Sequence, residues 1–133
     1  MSEEKILKTL IQKMKPHLNN GEYIFTTVNT INKIAVNDII GQFKENEGIT
    51  LILERQKADK LNFKYNFIAS WITLEIYSSL DAVGLTAIFS TELAKHNISC
   101  NVVAGFYHDH IFIDKKDEDK AISVLTNLSN NYK

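Results

Sequence analysis

Apolar residues recur at helical spacing in three segments of the chain, and a fourth, ambiguous segment is predicted to be helical from a cap at Asn37 and a stop at Gly48. In the first, Ile6, Leu10 and Met14 share one face, and Ser2 is the expected cap. Pro16 is predicted to stop this helix. Longer helices are predicted from about Glu3 to Met14, from Asn37 to Glu45 and from Asp81 to His96. A last helix is predicted to begin after a cap at Asp117, and a short helix directly after Glu54.

Extended structure is predicted where β-branched and aromatic residues cluster or alternate with polar ones. Ile72, Leu74 and Ile76 alternate with polar or aromatic neighbours, which is the period of a strand that buries one face. The predicted strands are Glu22 to Val28, Ile49 to Glu54, the segment around Ile72, Ser99 to Phe106 and His110 to Ile113, the last two joined by the turn-prone "YHDH".

The order of these elements predicts the fold class. The second half reads strand, helix, strand, strand, helix, which is most of a β-α-β-β-α-β ferredoxin-like unit without its closing strand. The segments at Leu51 and Ile111 share an apolar pattern, which favours two related modules with an abbreviated first module. We therefore expect an α+β protein whose two modules share or pair antiparallel sheets.

Composition narrows the function classes. The chain has 133 residues, 44% of them hydrophobic, and its 15 basic and 16 acidic residues give a net charge of -1. Without a basic surface, nucleic-acid binding is not expected. Cys100 is the only cysteine, which favours a reducing, cytoplasmic location. No apolar run reaches the roughly 18 residues of a membrane span, and the acidic start does not resemble a signal peptide.

The segment from Ser99 to Asp114 concentrates the residues that could carry chemistry. Cys100 precedes His108 and His110 by roughly 25 Å of extended strand, which is too far for a shared zinc site or a Cys–His pair. Asp109 has two interpretations that stay open: a turn residue that bonds nearby amides, or an acceptor for a cationic ligand group.

A second candidate site lies where a strand is predicted to end and a helix to begin, around Ser79 to Leu85. Free amides at a helix N-terminus attract a carboxylate, so the carboxylate of an amino acid fits there. Gly84 lets a ligand approach the backbone closely, although close packing against another element explains it equally well.

The strings "SSLDAVGLTAIFSTELAKHNISCNVVAGFYHDHIFI", "MKPHLNNGEYIFTTV" and "FKENEGITLILERQKADKL" resemble a family of small bacterial proteins built of two ACT modules, similar to the regulatory region of aspartate kinases. ACT modules are regulatory and bind amino acids or similar metabolites, usually between two modules. The segment from Asp109 to Ile113 also resembles a hairpin of a mammalian cytosolic arginine sensor, which implies that Asp109 faces a cationic group. A proline usual in ACT modules is replaced here by Asp81-Ala82-Val83.

The resemblance implies modules at residues 1–65, with a leading helix, and 66–133. It implies a sensor without a reaction of its own and without a cofactor, whose partners are a small molecule, expected to be an amino acid, and a second copy in a homodimer. Two alternatives remain, an enzyme that uses Tyr107 to His110, with or without a metal, and a scaffold that binds no ligand. The implied ligand contacts are Ser79, Leu80, Asp81, Val83, Gly84, Leu85, Thr86, Asn101, Val102, Val103, Ala104 and Asp109.

Overall fold

The computed structural model describes residues 2–133, which form four α-helices and six strands. The helices are α1 (Glu3–Lys13), α2 (Arg55–Lys60), α3 (Leu85–Lys95) and α4 (Glu118–Asn131). The strands are β1 (Lys15–Val28), β2 (Ile39–Lys44), β3 (Ile49–Glu54), β4 (Ile68–Glu75), β5 (Asn101–Ala104) and β6 (Asp109–Asp114), and short 3-10 turns span Val36–Asp38 and Lys115–Asp117. The α+β, ferredoxin-like class is confirmed.

The chain divides into two compact units, and β1 contributes residues to both. The larger unit contains residues 2–19 and 70–133, and the smaller unit contains residues 20–69. The predicted boundary between modules at residues 1–65 and 66–133 refers to the sequence, whereas these two units are defined by compactness. That boundary stays a prediction.

In the larger unit the strands are hydrogen-bonded in the order β1, β4, β6, β5. Residues 15–19 therefore take the place of the closing strand that the second half of the sequence lacks. One face of the sheet packs against α1, α3 and α4, as the alternation around Ile72 predicted. The buried core of this unit comprises Ile11, Met14, Ile72, Leu74, Ile76, Leu85, Phe89, Leu93, Ile98, Ile111, Ile113, Ala121, Val124 and Leu125.

A partly buried hydrogen bond joins the start of α4 to β4. Ser70 Oγ donates to Glu118 Oε2 at 2.6 Å, and Lys115 also pairs with this carboxylate. Burial raises the pKa of Glu118, but the hydrogen bonds from Lys115 and Ser70 outweigh it and leave the pKa below its usual value. The ionised carboxylate therefore holds the beginning of the helix against the sheet.

In the smaller unit β1 and β2 flank β3, both antiparallel to it, with Phe25 opposite Ile52 and Gln42 opposite Leu51. Its core comprises Ile24, Ile34, Leu51, Leu53 and Ala58. In this unit a single 3-10 turn, Val36–Asp38, stands between the first two strands where a complete ferredoxin-like module has a helix. The expectation of an abbreviated first module thus agrees with its structure.

Three predictions of local structure are wrong. Asn37 to Glu45 is not a helix, because Ile39–Lys44 pairs with β3 and this pairing overrides local preference. β1 begins at Lys15 rather than near Glu22, since the residue before a proline favours extended backbone. The helix predicted from Asp81 begins only at Leu85.

Candidate functional site

The first wall of the candidate site is the loop between β4 and α3. The Ala82 amide donates to the Ser79 carbonyl at 3.0 Å, which folds the loop back on itself. Gly84 caps α3 with φ of 96°, a left-handed conformation that favours glycine, and a Cβ there would lie 3.2 Å from Leu7 Cδ2. The first amides of α3 have no acceptor within the helix, so they are available at its N-terminus.

The second wall is the tip of the hairpin formed by β5 and β6. The Gly105 amide donates to the His108 carbonyl at 2.9 Å, and a Cβ on Gly105 would lie only 2.7 Å from that oxygen. His108 Nδ1 accepts from the Ile76 amide at 3.3 Å, and its ring lies 4.9 Å from that of Tyr77. These contacts fix the hairpin tip against the end of β4.

Together the two walls enclose a cleft of about 80 Å³. This is the volume of roughly two to three water molecules, well below the 300–1,000 Å³ typical of a drug-sized ligand pocket. The cleft therefore admits the polar end of a small molecule rather than a whole ligand. Its lining consists of Ser78, Ser79, Leu80, Ala82, Leu85, Thr86, Ala104, Gly105, Tyr107, His108 and Asp109.

The structure brings six of the twelve predicted contacts together in this cleft: Ser79, Leu80, Leu85, Thr86, Ala104 and Asp109. Asp81 and Val83 line a neighbouring groove along α1 instead. Gly84 is the cap of α3. Asn101, Val102 and Val103 lie along β5, where Asn101 Nδ2 donates to the Phe112 carbonyl at 3.2 Å. A binding role for these residues stays a prediction.

Five lining residues were not among the predicted ligand contacts. Tyr107 and His108 belong to the segment that the enzyme alternative uses, and Ser78, Ala82 and Gly105 are not among the implied contacts. The sequence signal that could have found Gly105 is its position directly before the turn-prone "YHDH", since a glycine there permits the close approach to His108.

Asp109 is the cleft residue whose carboxyl pKa is shifted by its surroundings. Burial raises the pKa of its carboxyl above the ordinary value, and nearby His110 only partly opposes this. The ionised form is therefore poorly solvated where it stands. A cationic group placed in the cleft would stabilise this carboxylate.

His110 points to the other face of the sheet and joins a hydrogen-bonded chain across three strands. Trp71 Nε1 donates to His110 Nδ1 at 3.0 Å, and Thr73 Oγ1 lies 3.1 Å from the same nitrogen. Asn19 Nδ2 donates to Thr73 Oγ1 at 3.0 Å. Because an indole N–H can only donate, Nδ1 accepts and the neutral ring carries its proton on Nε2. Burial, reinforced by His108 and opposed by Asp109, lowers the pKa of His110.

The described residues do not provide a metal-binding cluster, and they do not activate the thiol of Cys100. Within residues 2–133, no three His, Cys, Asp or Glu side chains are placed to hold a metal ion. Cys100 packs against the core, and burial raises its pKa to about 11, so its thiol is protonated at neutral pH. Among the same residues, no helix is both long and apolar enough to cross a bilayer.

Comparison with known families decides the identity of the fold. Residues 2–70 match one model of the ACT domain and residues 66–127 match another. The chain belongs to the ACT domain family. Membership of this family supports a regulatory, ligand-binding role. No curated protein sequence matches the chain.

Several solved structures are similar in fold to this ACT protein. A Vibrio cholerae protein of unknown function is 43% identical, with a TM-score of 0.85 over 96% of this chain and 99% of that one. The regulatory subunit of aspartate kinase from Thermus thermophilus is 6% identical, with a TM-score of 0.59 over 85% of this chain and 95% of that one. Aspartate kinase from Clostridium acetobutylicum is 13% identical, with a TM-score of 0.60 over 88% of this chain and 34% of that one. The last two likenesses show the fold alone.

Proposed function

We propose that this ACT protein is a regulatory sensor that binds a free amino acid by its polar end in the cleft between the β4–α3 loop and the hairpin tip. The supporting observation is the pairing of opposite electrostatic preferences across the cleft. Amides at the start of α3 favour a carboxylate, whereas the partly buried carboxyl of Asp109 favours a cation. A zwitterion satisfies both.

The proposed contacts are the predicted residues that line the cleft. Ser79, Leu85 and Thr86 stand at the carboxylate side, Asp109 faces the ammonium or guanidinium group, and Leu80 and Ala104 complete the walls. Since the cleft has room only for the polar end, the rest of the ligand extends out of it. Binding favours one arrangement of the β4–α3 loop over others, and a partner responds to that shift.

The proposal includes the sequence-based expectations that the protein catalyses no reaction of its own, acts in the cytoplasm and forms a homodimer. The homodimer is tested by sedimentation velocity of the purified protein with and without its ligand. A monomer under both conditions would contradict that part of the proposal alone.

A thermal-shift screen against the free amino acids tests the sensor function. An amino acid at a hundredfold excess over its dissociation constant stabilises the folded protein by about 2.7 kcal/mol, which raises Tm by several degrees. We expect one amino acid, or a few related ones, to produce such a shift. No shift from any of them would contradict the proposal and favour a scaffold.

Replacing Asp109 sharpens the test. Asp109→Asn keeps the shape of the side chain but removes the charge, so it should abolish the shift. It should also raise Tm without ligand, because a carboxyl whose pKa is raised by folding destabilises the folded state at neutral pH. Glu47→Gln is the matched control, since Glu47 is an exposed acid of the smaller unit and should leave both values unchanged. An unchanged ligand response in Asp109→Asn would contradict the assigned role of Asp109.

A further inference from the structure

We propose that the groove between α1 and the β4–α3 loop docks a basic amphipathic segment of another protein. The groove has a volume of about 250 Å³ and borders the ligand cleft, with which it shares Ser79 and Ala82. Ile6, Leu7 and Leu10 form its wall on α1, and Val83 forms the facing wall. The proposal rests on this geometry and not on the proposed amino-acid binding.

The apolar walls of the groove are accessible. Ile6 is 45% exposed and Val83 76% exposed, although both belong to residue types that folded proteins usually bury. Single exposed apolar residues are common, but these line one continuous concavity. The volume corresponds to about eight water molecules, enough for a bulky apolar side chain.

The groove carries negative charge and is bordered by one face of α1. Glu3, Ile6, Leu7 and Leu10 have the i, i+3, i+4, i+7 spacing of a single helical face. Lys5 and Lys8 lie on other faces, and among the described residues that line the groove none is basic. Glu3 and Asp81 are both exposed at its rim.

This charge selects the occupant. A symmetric contact with a second copy would bring the same acidic rims together, which like-charge repulsion disfavours. An anionic membrane surface is disfavoured for the same reason. A segment with one apolar face and flanking Lys or Arg side chains complements both the apolar walls and the two carboxylates.

The test uses a labelled helical peptide that has leucine at i, i+3 and i+4 and lysine elsewhere, with binding followed by fluorescence anisotropy. We expect binding that weakens at high salt. Val83→Ser should weaken it about tenfold by removing apolar contact, and Asp81→Lys should weaken it at least as much and reduce the salt dependence. Thermal melts show whether each variant is folded.

Matched controls come from the smaller unit. Val36 is 78% exposed and Glu47 is also exposed, so Val36→Ser and Glu47→Lys repeat the two changes elsewhere and should leave the dissociation constant unchanged. A peptide with glutamate in place of lysine should not bind.

Three results would overturn the proposal. The first is equal binding of the lysine peptide to all variants, or of the glutamate peptide to the native protein. The second is a dimer that Val83→Ser dissociates, because a second copy would then cover the groove. The third is sedimentation with phosphatidylglycerol vesicles that Val83→Ser abolishes. Asp109→Asn changes a residue that lines the cleft but not the groove, so it should still bind the lysine peptide, and the two proposals can fail separately.

Discussion

The two units start from the same ferredoxin-like plan and differ in the element after their first strand. In the larger unit β4 leads through a loop into α3, and the cleft lies beside the start of that helix. In the smaller unit β1 leads only to the 3-10 turn Val36–Asp38. The absence of a full helix there removes the set of aligned amides that a carboxylate would use. The comparison teaches that the strand-to-helix junction, which the smaller unit lacks, supplies the carboxylate side of the candidate site.

The difference extends to the cores. Among residues 2–133, three helices cover the sheet of the larger unit and its apolar core contains fourteen buried residues, whereas the core of the smaller unit contains five. A helix after the first strand thus supplies both a binding edge and apolar area. Phe89 and Leu93 of α3 are among the most buried side chains of the chain.

The strongest test of this comparison removes the packing of α3. Phe89 is 1% exposed, so Phe89→Ala should destabilise the fold by about 3–5 kcal/mol through lost burial and a cavity. Phe43→Ala in the smaller unit should change stability by no more than about 0.5 kcal/mol, because Phe43 is 72% exposed. Urea unfolding monitored by circular dichroism measures both values. Equal losses would mean that α3 does not dominate the stability of its unit.

An intermediate effect is expected at the hairpin tip. Gly105→Ala places a Cβ 2.7 Å from the backbone oxygen of His108, so the tip must shift at a cost of about 1–3 kcal/mol. Gly41→Ala, in β2 of the smaller unit, meets only the end of the Ile52 side chain at 3.2 Å and should cost less. Thermal unfolding gives the comparison. If Gly105→Ala is as stable as the native protein and keeps its ligand response, the tip is not a rigid wall of the cleft.

The smallest effect concerns pH and His110. Because folding lowers the pKa of this histidine, the unfolded chain takes up a proton first as pH falls below the ordinary value of 6.5. The contribution of His110 to stability is therefore complete above that value and is lost at lower pH. His110→Asn keeps an acceptor for the Trp71 indole without titrating, so its Tm should fall less between about pH 7 and 5.5. His96→Asn, an exposed control, should behave like the native protein.

Trp71 provides a second readout of the same change, because it is the only tryptophan of the chain. Its indole loses an acceptor when His110 Nδ1 is protonated, so its emission should change with pH in the native protein and stay constant in His110→Asn. A pH-dependent emission that persists in that variant would assign the titration to another group.

Sequence periodicity predicted the elements whose packing is local or strongly one-sided. The alternation around Ile72 and the stripe after Asp117 have counterparts in β4 and α4. It failed at β2, where pairing with β3 determines the structure and the exposed Phe43 gives no alternating signal. It also missed that Pro16 belongs to a strand. A proline that ends a helix favours extended backbone just before it, and so does a proline near the beginning of a strand.

The candidate site could be predicted only in part for a related reason. The loop before α3 is recognisable from its position between a strand and a helix. Which loop side chains face the hairpin tip depends on the left-handed backbone at Gly84 and the turn between Ser79 and Ala82. These features delay the helix to Leu85 and direct Asp81 and Val83 toward α1.

The position of residues 15–19 beside β4 has a consequence for biosynthesis. The larger unit is discontinuous along the chain. Its first segment is therefore synthesised before residues 20–69 and can pack only after residues 70–133 have followed them. Gln12 Nε2 donates to the Tyr132 carbonyl at 2.9 Å, which brings α1 near the end of α4. A circular permutant in which residues 2–19 come after Lys133 would place α1 directly after α4 in the chain. The hydrogen bond between Gln12 and Tyr132 would then close a much shorter loop and should form earlier in folding.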